Sequence, residues 1–320
     1  MLRLKKEIDF YGHRKIYYAI SIGLMALALV CALIFGVKVD IQFTGGTIAT
    51  YSYEGDLDFA AVENTAAEVT GFTVTSDSSQ SVSGNASQIA LSIGTVDGMT
   101  VDMESELTSR LETDFADNNL QYVSIDSVAA SMGRDFLLKC LVAVLAAFVL
   151  MVVYVAIRFR RIGGWSAGVT GVIALIHDTL IVFSVFIIFR LPIDDNFMAV
   201  ILFILGYSIN DTIVIFDRIR ENEKLYGRSL DYPQLVNKSI SQTFTRTLNT
   251  SLSTLLAMVS VCVFAVIFGV NSILSFAFPM VAGLISGFYS SVCLSGTIWA
   301  WWKSSRSSRG RKTAKTAKAK

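Results

Sequence analysis

The fold of this chain is decided by a twenty-residue segment that reads FMAVILFILGYSINDTIVIF from Phe197 to Phe216. As an α-helix rising 1.5 Å per residue, such a segment crosses a hydrocarbon core of roughly 30 Å. It nevertheless contains a carboxylic acid, Asp211. Because a charge at the bilayer centre costs roughly 2.5 to 3.5 kcal/mol on insertion scales, such a residue usually faces a bundle interior or a wet cavity and has a partner or a function.

Further apolar segments extend this reading to the whole chain. Of its 320 residues, 53% are hydrophobic, and mean hydropathy is +0.55, which is far from a soluble composition. The chain is therefore interpreted as a polytopic α-helical membrane protein. Six transmembrane helices are predicted at 16–37, 137–157, 165–189, 197–216, 248–268 and 273–302.

Basic residues collect on one side of these predicted helices. They lie before the first, between the second and third, between the fourth and fifth, and after the sixth. The positive-inside rule makes that side cytoplasmic, with both termini inside. The basic tail, 303–320, is interpreted as a topology anchor that can attract anionic lipid. Nucleic-acid binding is not expected, because no aromatic or folded recognition element accompanies its charges.

The segment between the first two helices, residues 38–134, is predicted to form an acidic external α+β domain. Its order is βαββαβ, which predicts a ferredoxin-like fold with two helices on one face of an antiparallel sheet. No metal site is predicted, because the domain lacks a His/Cys cluster. No disulfide framework is expected, because all four cysteines lie in predicted spans. The elements are expected at 46–53, 57–70, 72–76, 88–93, 99–115 and 121–126.

The predicted organisation thus has five parts. A cytoplasmic N-terminus is followed by the first transmembrane helix, the external domain, a block of five transmembrane helices and the basic tail. Their expected bounds are 1–15, 16–37, 38–134, 135–302 and 303–320.

Several motifs resemble those of one known family. The stretch from Asp195 to Lys224 resembles the signature of the SecF branch of the SecD/SecF family of protein-export membrane proteins. The likeness covers nearly the whole chain and is most specific in the fourth and fifth predicted helices. The chain departs from the family pattern at Gln42, where an Asp is more usual, and in residues 128–133, which lack a proline. Four further stretches resemble the same branch: 43–47, 174–178, 237–251 and 287–291.

This resemblance implies a fold and a function. The fold is one half of a resistance-nodulation-division (RND) type transporter, and the protein is not an enzyme. It would act with a SecD-like chain in the bacterial cytoplasmic membrane, coupling the proton-motive force to late translocation and release of an emerging unfolded polypeptide. SecYEG and YajC/YidC-type accessory proteins are further implied partners. No cofactor is expected; the energy source is a proton gradient, with sodium as the alternative.

By the same resemblance, Asp211 and Arg246 match an intramembrane carboxylate and arginine implicated in proton movement. The residues themselves are compatible with this role. Both are expected near the cytoplasmic side, so their depths can match. A nearby guanidinium favours the carboxylate and desolvation favours the neutral acid, so changes in packing or water access can switch protonation. The supporting polar residues predicted from the sequence are Tyr207, Ser208, Asn210, Thr212, His177 and Asp178.

Structural roles for these acids stay open. Asp211 can be a helix-packing carboxylate satisfied by Arg246 or by a hydroxyl group. For His177 and Asp178, hydrogen bonding to a neighbouring helix is favoured over a proton relay. A protease-like dyad of Asp178 with Asp211 is disfavoured, because the two residues are expected at different depths.

Glycine pairs are candidates for close packing or for joints. Gly283 and Gly287 suit close helix approach, and Gly45 and Gly46 allow unusual backbone angles beside the first helix, as a fixed turn or as a hinge. Two other functions also remain: a non-conducting scaffold for translocon assembly, and half of an RND-type small-molecule exporter. The exporter is disfavoured, because such proteins ordinarily carry twelve spans and two external domains in one chain.

Overall fold

A computed structural model describes residues 8–80, 87–95, 98–227, 229–268 and 270–306. Six helices in these residues are long and apolar enough to cross a membrane, as predicted. Most of the basic tail lies outside the described residues. The helices are α1 (Arg14–Phe35), α2 (Ile41–Thr44), α3 (Phe59–Thr70), α4 (Val101–Asp114), α5 (Ala130–Arg158), α6 (Gly164–Ile188), α7 (Asp195–Tyr226), α8 (Tyr232–Ile267) and α9 (Asn271–Tyr289); the strands are β1 (Gly46–Tyr53), β2 (Val74–Gln80), β3 (Ser87–Ile93) and β4 (Gln121–Val128).

The small domain inserted after α1 has the predicted βαββαβ order. Its strands lie in the order β2-β3-β1-β4, and all neighbours are antiparallel. This is the ferredoxin-like arrangement expected from the sequence. Alternate residues of β1 and β3 point to one face, where α3 and α4 cover them. The core between the sheet and the helices contains Ala49, Tyr51, Val62, Ala66, Ile89, Leu91, Leu107 and Leu111.

The connection from this domain to the second transmembrane helix is shorter than predicted. α5 begins at Ala130, directly after β4, rather than at residue 137. Its first turn packs on the turn that follows α2, where a Cβ on Gly133 would lie 3.0 Å from the backbone nitrogen of Gly45. Hydropathy does not identify this turn of helix, because its residues are held by protein packing.

α7 and α8 also extend beyond their predicted spans, which ended at 216 and began at 248. Asp231 caps α8 in a reciprocal capping box with Gln234. Asn222 of α7 donates hydrogen bonds to Ser239 (2.9 Å) and Gln242 (2.8 Å) of α8. Side-chain hydrogen bonds therefore join the two helices beyond the apolar stretch that hydropathy detects.

The centre of the bundle is formed by α6, α7 and α9. The most apolar windows of α6 and α7 are 50% and 56% buried, against 6% for α5 and 11% for α8. Small residues permit the close approach: a Cβ on Gly283 would lie 2.7 Å from Ile204, and one on Gly287 would lie 3.2 Å from Ser208. The geometry at both glycines is therefore that of close packing. After Tyr289, α9 passes through a π-helical segment, Ser290–Ser295, and continues as helix to Arg306.

Candidate functional site in the membrane helices

Hydroxyl groups surround Asp178 where α6, α7 and α9 meet. Ser208 and Ser290 each donate a 2.7 Å hydrogen bond to Oδ2, and Ser286 donates one of 2.6 Å to Oδ1. His177 Nδ1 lies 3.2 Å from Oδ1. Asp178 is fully buried. These five residues, here called the Asp178 cluster, give the carboxyl group the partners that a buried polar group requires.

The π-helical segment of α9 sets the position of this cluster. Ser290 reaches Asp178 on α6, whereas Ser291 donates to the carbonyl of Ser208 (3.2 Å) and lies 3.0 Å from the hydroxyl of Thr212, both on α7. One short segment thus ties together three transmembrane helices. Single-turn π-bulges are often found at functional sites.

Asp211 has a different environment. It is only 3% exposed, and the hydrogen bond described for its side chain comes from Ser251 of α8, at 3.1 Å. In the described residues no ion pair joins it to Arg246, although that guanidinium is near enough for its charge to act on the carboxyl group. Asp211 therefore has far fewer hydrogen-bond donors than Asp178. Because the two acids have separate partners, they do not form the shared site of a dyad.

A polar groove with a volume of about 770 Å³ lies between α7 and α8. Its lining includes Asn210, the sequence neighbour of Asp211, but not Asp211 itself. From Lys224 to Asn210 it follows α7 for roughly 21 Å at 1.5 Å per residue. We call it the α7–α8 groove. Its lining residues are Asn210, Ile213, Val214, Asp217, Arg218, Arg220, Glu221, Lys224, Gln242, Thr243 and Arg246.

Charged residues in and beside this groove form a network. Asp217 accepts from Arg158 (2.9 Å) and pairs with Arg220 (2.8 Å). Arg218 contacts Glu221 and Gln242, each at 2.6 Å. Such partly exposed pairs contribute little to stability. They do keep the groove polar.

The other predicted residues are not all gathered around Asp211. Ser208 contacts Asp178, and Thr212 contacts Ser291 in the π-helical segment that follows α9. Asn210 is exposed in the groove. The hydroxyl of Tyr207 is buried and has no hydrogen-bond partner in the described part of the chain.

Sequence reasoning missed four hydroxyl residues at these sites. Ser251 closes the stretch 237–251 that was singled out for its motif, and Ser286 and Ser290 are spaced by four residues, as are groups on one face of a helix. Serines are common in such segments, so this spacing alone does not indicate a carboxylate partner. The missed residues are Ser251, Ser286, Ser290 and Ser291.

At the entrance to the small domain, Gly45 and Gly46 form a tightly packed turn. Their φ angles are +79° and +143°, and a Cβ on Gly45 would lie 2.4 Å from the Cα of Ala130. Asp40 caps the short helix α2 and accepts from the backbone of Gln42 at 2.9 Å. The turn is therefore closely packed against the start of α5.

Comparison with known proteins gives a consistent result. Residues 108–305 match the family model described as protein export membrane protein SecD/SecF, C-terminal. A protein translocase subunit SecF from Alicyclobacillus acidocaldarius is 32% identical over 97% of this chain and 99% of its own length. A protein translocase subunit SecDF from Bacillus subtilis is 31% identical over 92% of this chain, which matches 38% of that longer protein.

A solved structure shows the same fold. The crystal structure of SecDF from Thermus thermophilus, described as a translocon-associated membrane protein, superposes with a TM-score of 0.78 and 30% sequence identity. The match covers 95% of this chain and 40% of the SecDF chain. This chain thus spans about two fifths of that protein.

Proposed function

The chain belongs to the SecD/SecF family of protein-export membrane proteins, and we propose that it couples an ion gradient to polypeptide export, with Asp211 as the proton-binding group. One observation carries this proposal: the Asp211 carboxyl group is only 3% exposed, has a single described hydrogen bond, and lies near enough to Arg246, which lines a polar groove, for that charge to act on it. Perturbed acids in such positions are typical of functional sites, although structural networks also contain them.

Asp211 is suited to exchange a proton because opposing effects act on it. Burial disfavours the charged form, and the nearby guanidinium of Arg246 favours it. With only Ser251 as a described hydrogen-bond partner, neither form is fully compensated. A small change in hydration or in the position of Arg246 therefore shifts the protonation equilibrium.

The α7–α8 groove provides the route. Its charged lining makes water favourable there, and its inner end at Asn210 is adjacent in sequence to the acid. We propose that protons pass between Asp211 and the cytoplasm through water in this groove. Arg246, which lines the same groove, would both hold the carboxylate form and repel other cations.

Movement would be transmitted through α7. Asp211 lies one turn from Ser208, which belongs to the Asp178 cluster, and Thr212 contacts Ser291 of the π-helical segment. A change of charge at Asp211 would thus act on a helix that is hydrogen-bonded to both α6 and α9. We propose that this contact converts protonation into displacement of α9 against α7.

The available energy is adequate for such coupling. One charge that crosses about 100 mV releases roughly 2.3 kcal/mol, and moving a two-state equilibrium from 1:99 to 99:1 requires about 5.5 kcal/mol. One proton therefore biases the cycle, and two or three drive it.

A SecD-like chain is the proposed partner. The SecDF relatives carry more than this chain in a single polypeptide, and the most apolar windows of α5 and α8 are almost unburied. The proposed location is the bacterial cytoplasmic membrane, with both termini inside and the small domain outside. There the complex would act with SecYEG and YajC/YidC-type proteins on an emerging unfolded polypeptide.

The test is late-stage export in membrane vesicles that carry Asp211→Asn. We expect the variant to assemble with its partner but to lose the stimulation of export by the proton-motive force. Asp195→Asn, the same charge change at the exposed outer end of α7, is the control and should export normally. Wild-type force dependence in Asp211→Asn would favour the scaffold function. Imposing proton and sodium gradients separately identifies the ion.

A further inference from the structure

An apolar groove lies beneath α1 and shares no lining residue with the α7–α8 groove. It has a volume of about 630 Å³ and is bounded by α1, α6 and the last part of the α9 chain. On α1 it runs from Arg14 to Met25, which is roughly 16 Å at 1.5 Å per residue. A second cavity of about 420 Å³ shares Ile22 and Met25 with it and continues along α1 to Ala32. We call the first cavity the α1 groove.

The two ends of the α1 groove differ in chemistry. Arg14 and Lys15 lie at one end with Trp301, which is 54% exposed. Arg14 is held over the ring of Tyr11, at 4.1 Å, and Asp9 lies near enough to offset part of its charge. Lys15 is exposed.

The rest of the groove is almost entirely apolar. Its walls include Ile22 and Met25 of α1 and Ile176 of α6. His177 is the polar residue that α6 adds to the lining; its Nε2 is buried and has no partner in the described residues, while Nδ1 faces Asp178.

We propose that the α1 groove binds an anionic phospholipid, with its phosphate beside Arg14 and Lys15 and one acyl chain along Ile22, Met25 and Ile176. Basic residues beside a span attract anionic headgroups, and tryptophan is enriched at the same depth of the membrane. No acidic residue lines the described groove to oppose a phosphate. The bound acyl chain would also cover His177, the member of the Asp178 cluster that lines the groove.

The test is a titration of the delipidated, full-length protein, with any co-purifying partner chain, in detergent. Bound lipid is counted by native mass spectrometry, with palmitoyl-oleoyl phosphatidylglycerol and phosphatidylcholine as probes. We expect one molecule of phosphatidylglycerol to bind tightly and phosphatidylcholine to bind more weakly. Lys15→Gln should lower the affinity for phosphatidylglycerol about fivefold, which is the effect of one cation near an anionic headgroup. Arg161→Gln removes an equal charge outside the groove and should have no effect.

A second pair of variants tests the acyl-chain path. Ile22→Trp fills the groove and should abolish tight binding. Leu24→Trp places the same side chain on an exposed position of α1 outside the groove and should bind as the wild type does. The proposal would be overturned if the protein bound the two lipids with equal affinity, or if Ile22→Trp and Leu24→Trp bound phosphatidylglycerol equally well. It would also be overturned if two copies of the protein formed a dimer without bound lipid.

Discussion

Ser208, which lies on α7 one helical turn before Asp211, donates a 2.7 Å hydrogen bond to the carboxylate of Asp178 on α6. The two intramembrane acids are therefore linked through one helix without sharing a ligand. Asp178 has three hydroxyl donors, as expected of a structural group, while Asp211 has one. This difference in hydrogen bonding agrees with a structural role for Asp178 and a proton-exchanging role for Asp211.

Ser208→Ala should destabilise the bundle. The change removes one donor from a fully buried carboxyl group, which typically costs about 1 to 3 kcal/mol of unfolding free energy. Ser253→Ala is the matched control, because Ser253 is exposed and, within the described residues, its hydroxyl bonds only to the carbonyl of Asn249. Thermal unfolding in detergent should show a lower midpoint for Ser208→Ala alone. Equal midpoints would mean that Asp178 does not depend on this donor.

Arg246→Gln should give an export defect like that of Asp211→Asn. The variant removes the guanidinium whose charge acts on Asp211 and leaves the groove open. Arg218→Gln, in the same groove but paired with Glu221 and Gln242, is the control. Export in vesicles with and without a proton-motive force should lose its force dependence only in Arg246→Gln. A similar loss in both variants would indicate a general effect of groove charge.

Two glycines of the bundle should respond in opposite directions to alanine. Gly283→Ala places a Cβ 2.7 Å from Ile204 and should cost about 1 to 3 kcal/mol, as overpacking does. Gly206→Ala meets no atom within 4 Å and lies in a helix, so it should stabilise the protein by roughly 0.5 to 1 kcal/mol. The unfolding midpoints of the two variants test this. A loss of stability in Gly206→Ala would contradict the expected free space.

The turn at Gly45 should be more sensitive to alanine than Gly71, another glycine with a similar positive φ angle. Gly45→Ala combines a φ of +79° with a Cβ 2.4 Å from backbone atoms of Ala130. Gly71→Ala has a φ of +72° but open space, so it should cost only about 1 kcal/mol from the left-handed conformation. Unfolding midpoints should fall further for Gly45→Ala. Equal losses would show that α5 can move away from the turn.

Glu63 should make a small acid-sensitive contribution to stability. Hydrogen bonds from the hydroxyl and backbone N–H of Ser76 lower the pKa of Glu63 below its usual value. Because the folded pKa is the lower one, the contribution is complete above the unfolded pKa, near 4.3, and disappears as pH falls through the folded value. Between pH 6 and 3, the unfolding free energy of Glu63→Gln should therefore fall less steeply with decreasing pH than that of the wild type. Glu68 is an exposed acid on the same helix, and Glu68→Gln should keep the wild-type pH dependence.

Much of the fold followed from patterns in the chain. Apolar length predicts six helices, and alternation of apolar residues predicts the βαββαβ order, because both signals come from burial in lipid or in a sheet core. Helix ends were less predictable. The extension of α7 to Tyr226 depends on hydrogen bonds to α8, and the early start of α5 depends on contact with Gly45. Hydropathy does not report either kind of contact.

By itself, the sequence determined the membrane character of the chain, the inserted α+β domain and the presence of Asp211 inside an apolar helix, because each is a local property of composition and spacing. Only the tertiary structure decided which groups meet. It brings Ser251, rather than Arg246, into hydrogen-bond contact with Asp211, and it uses a π-helical turn to bring Ser290 to Asp178. Hydrogen bonds between helices depend on their rotation and depth, which residue spacing within one helix does not specify.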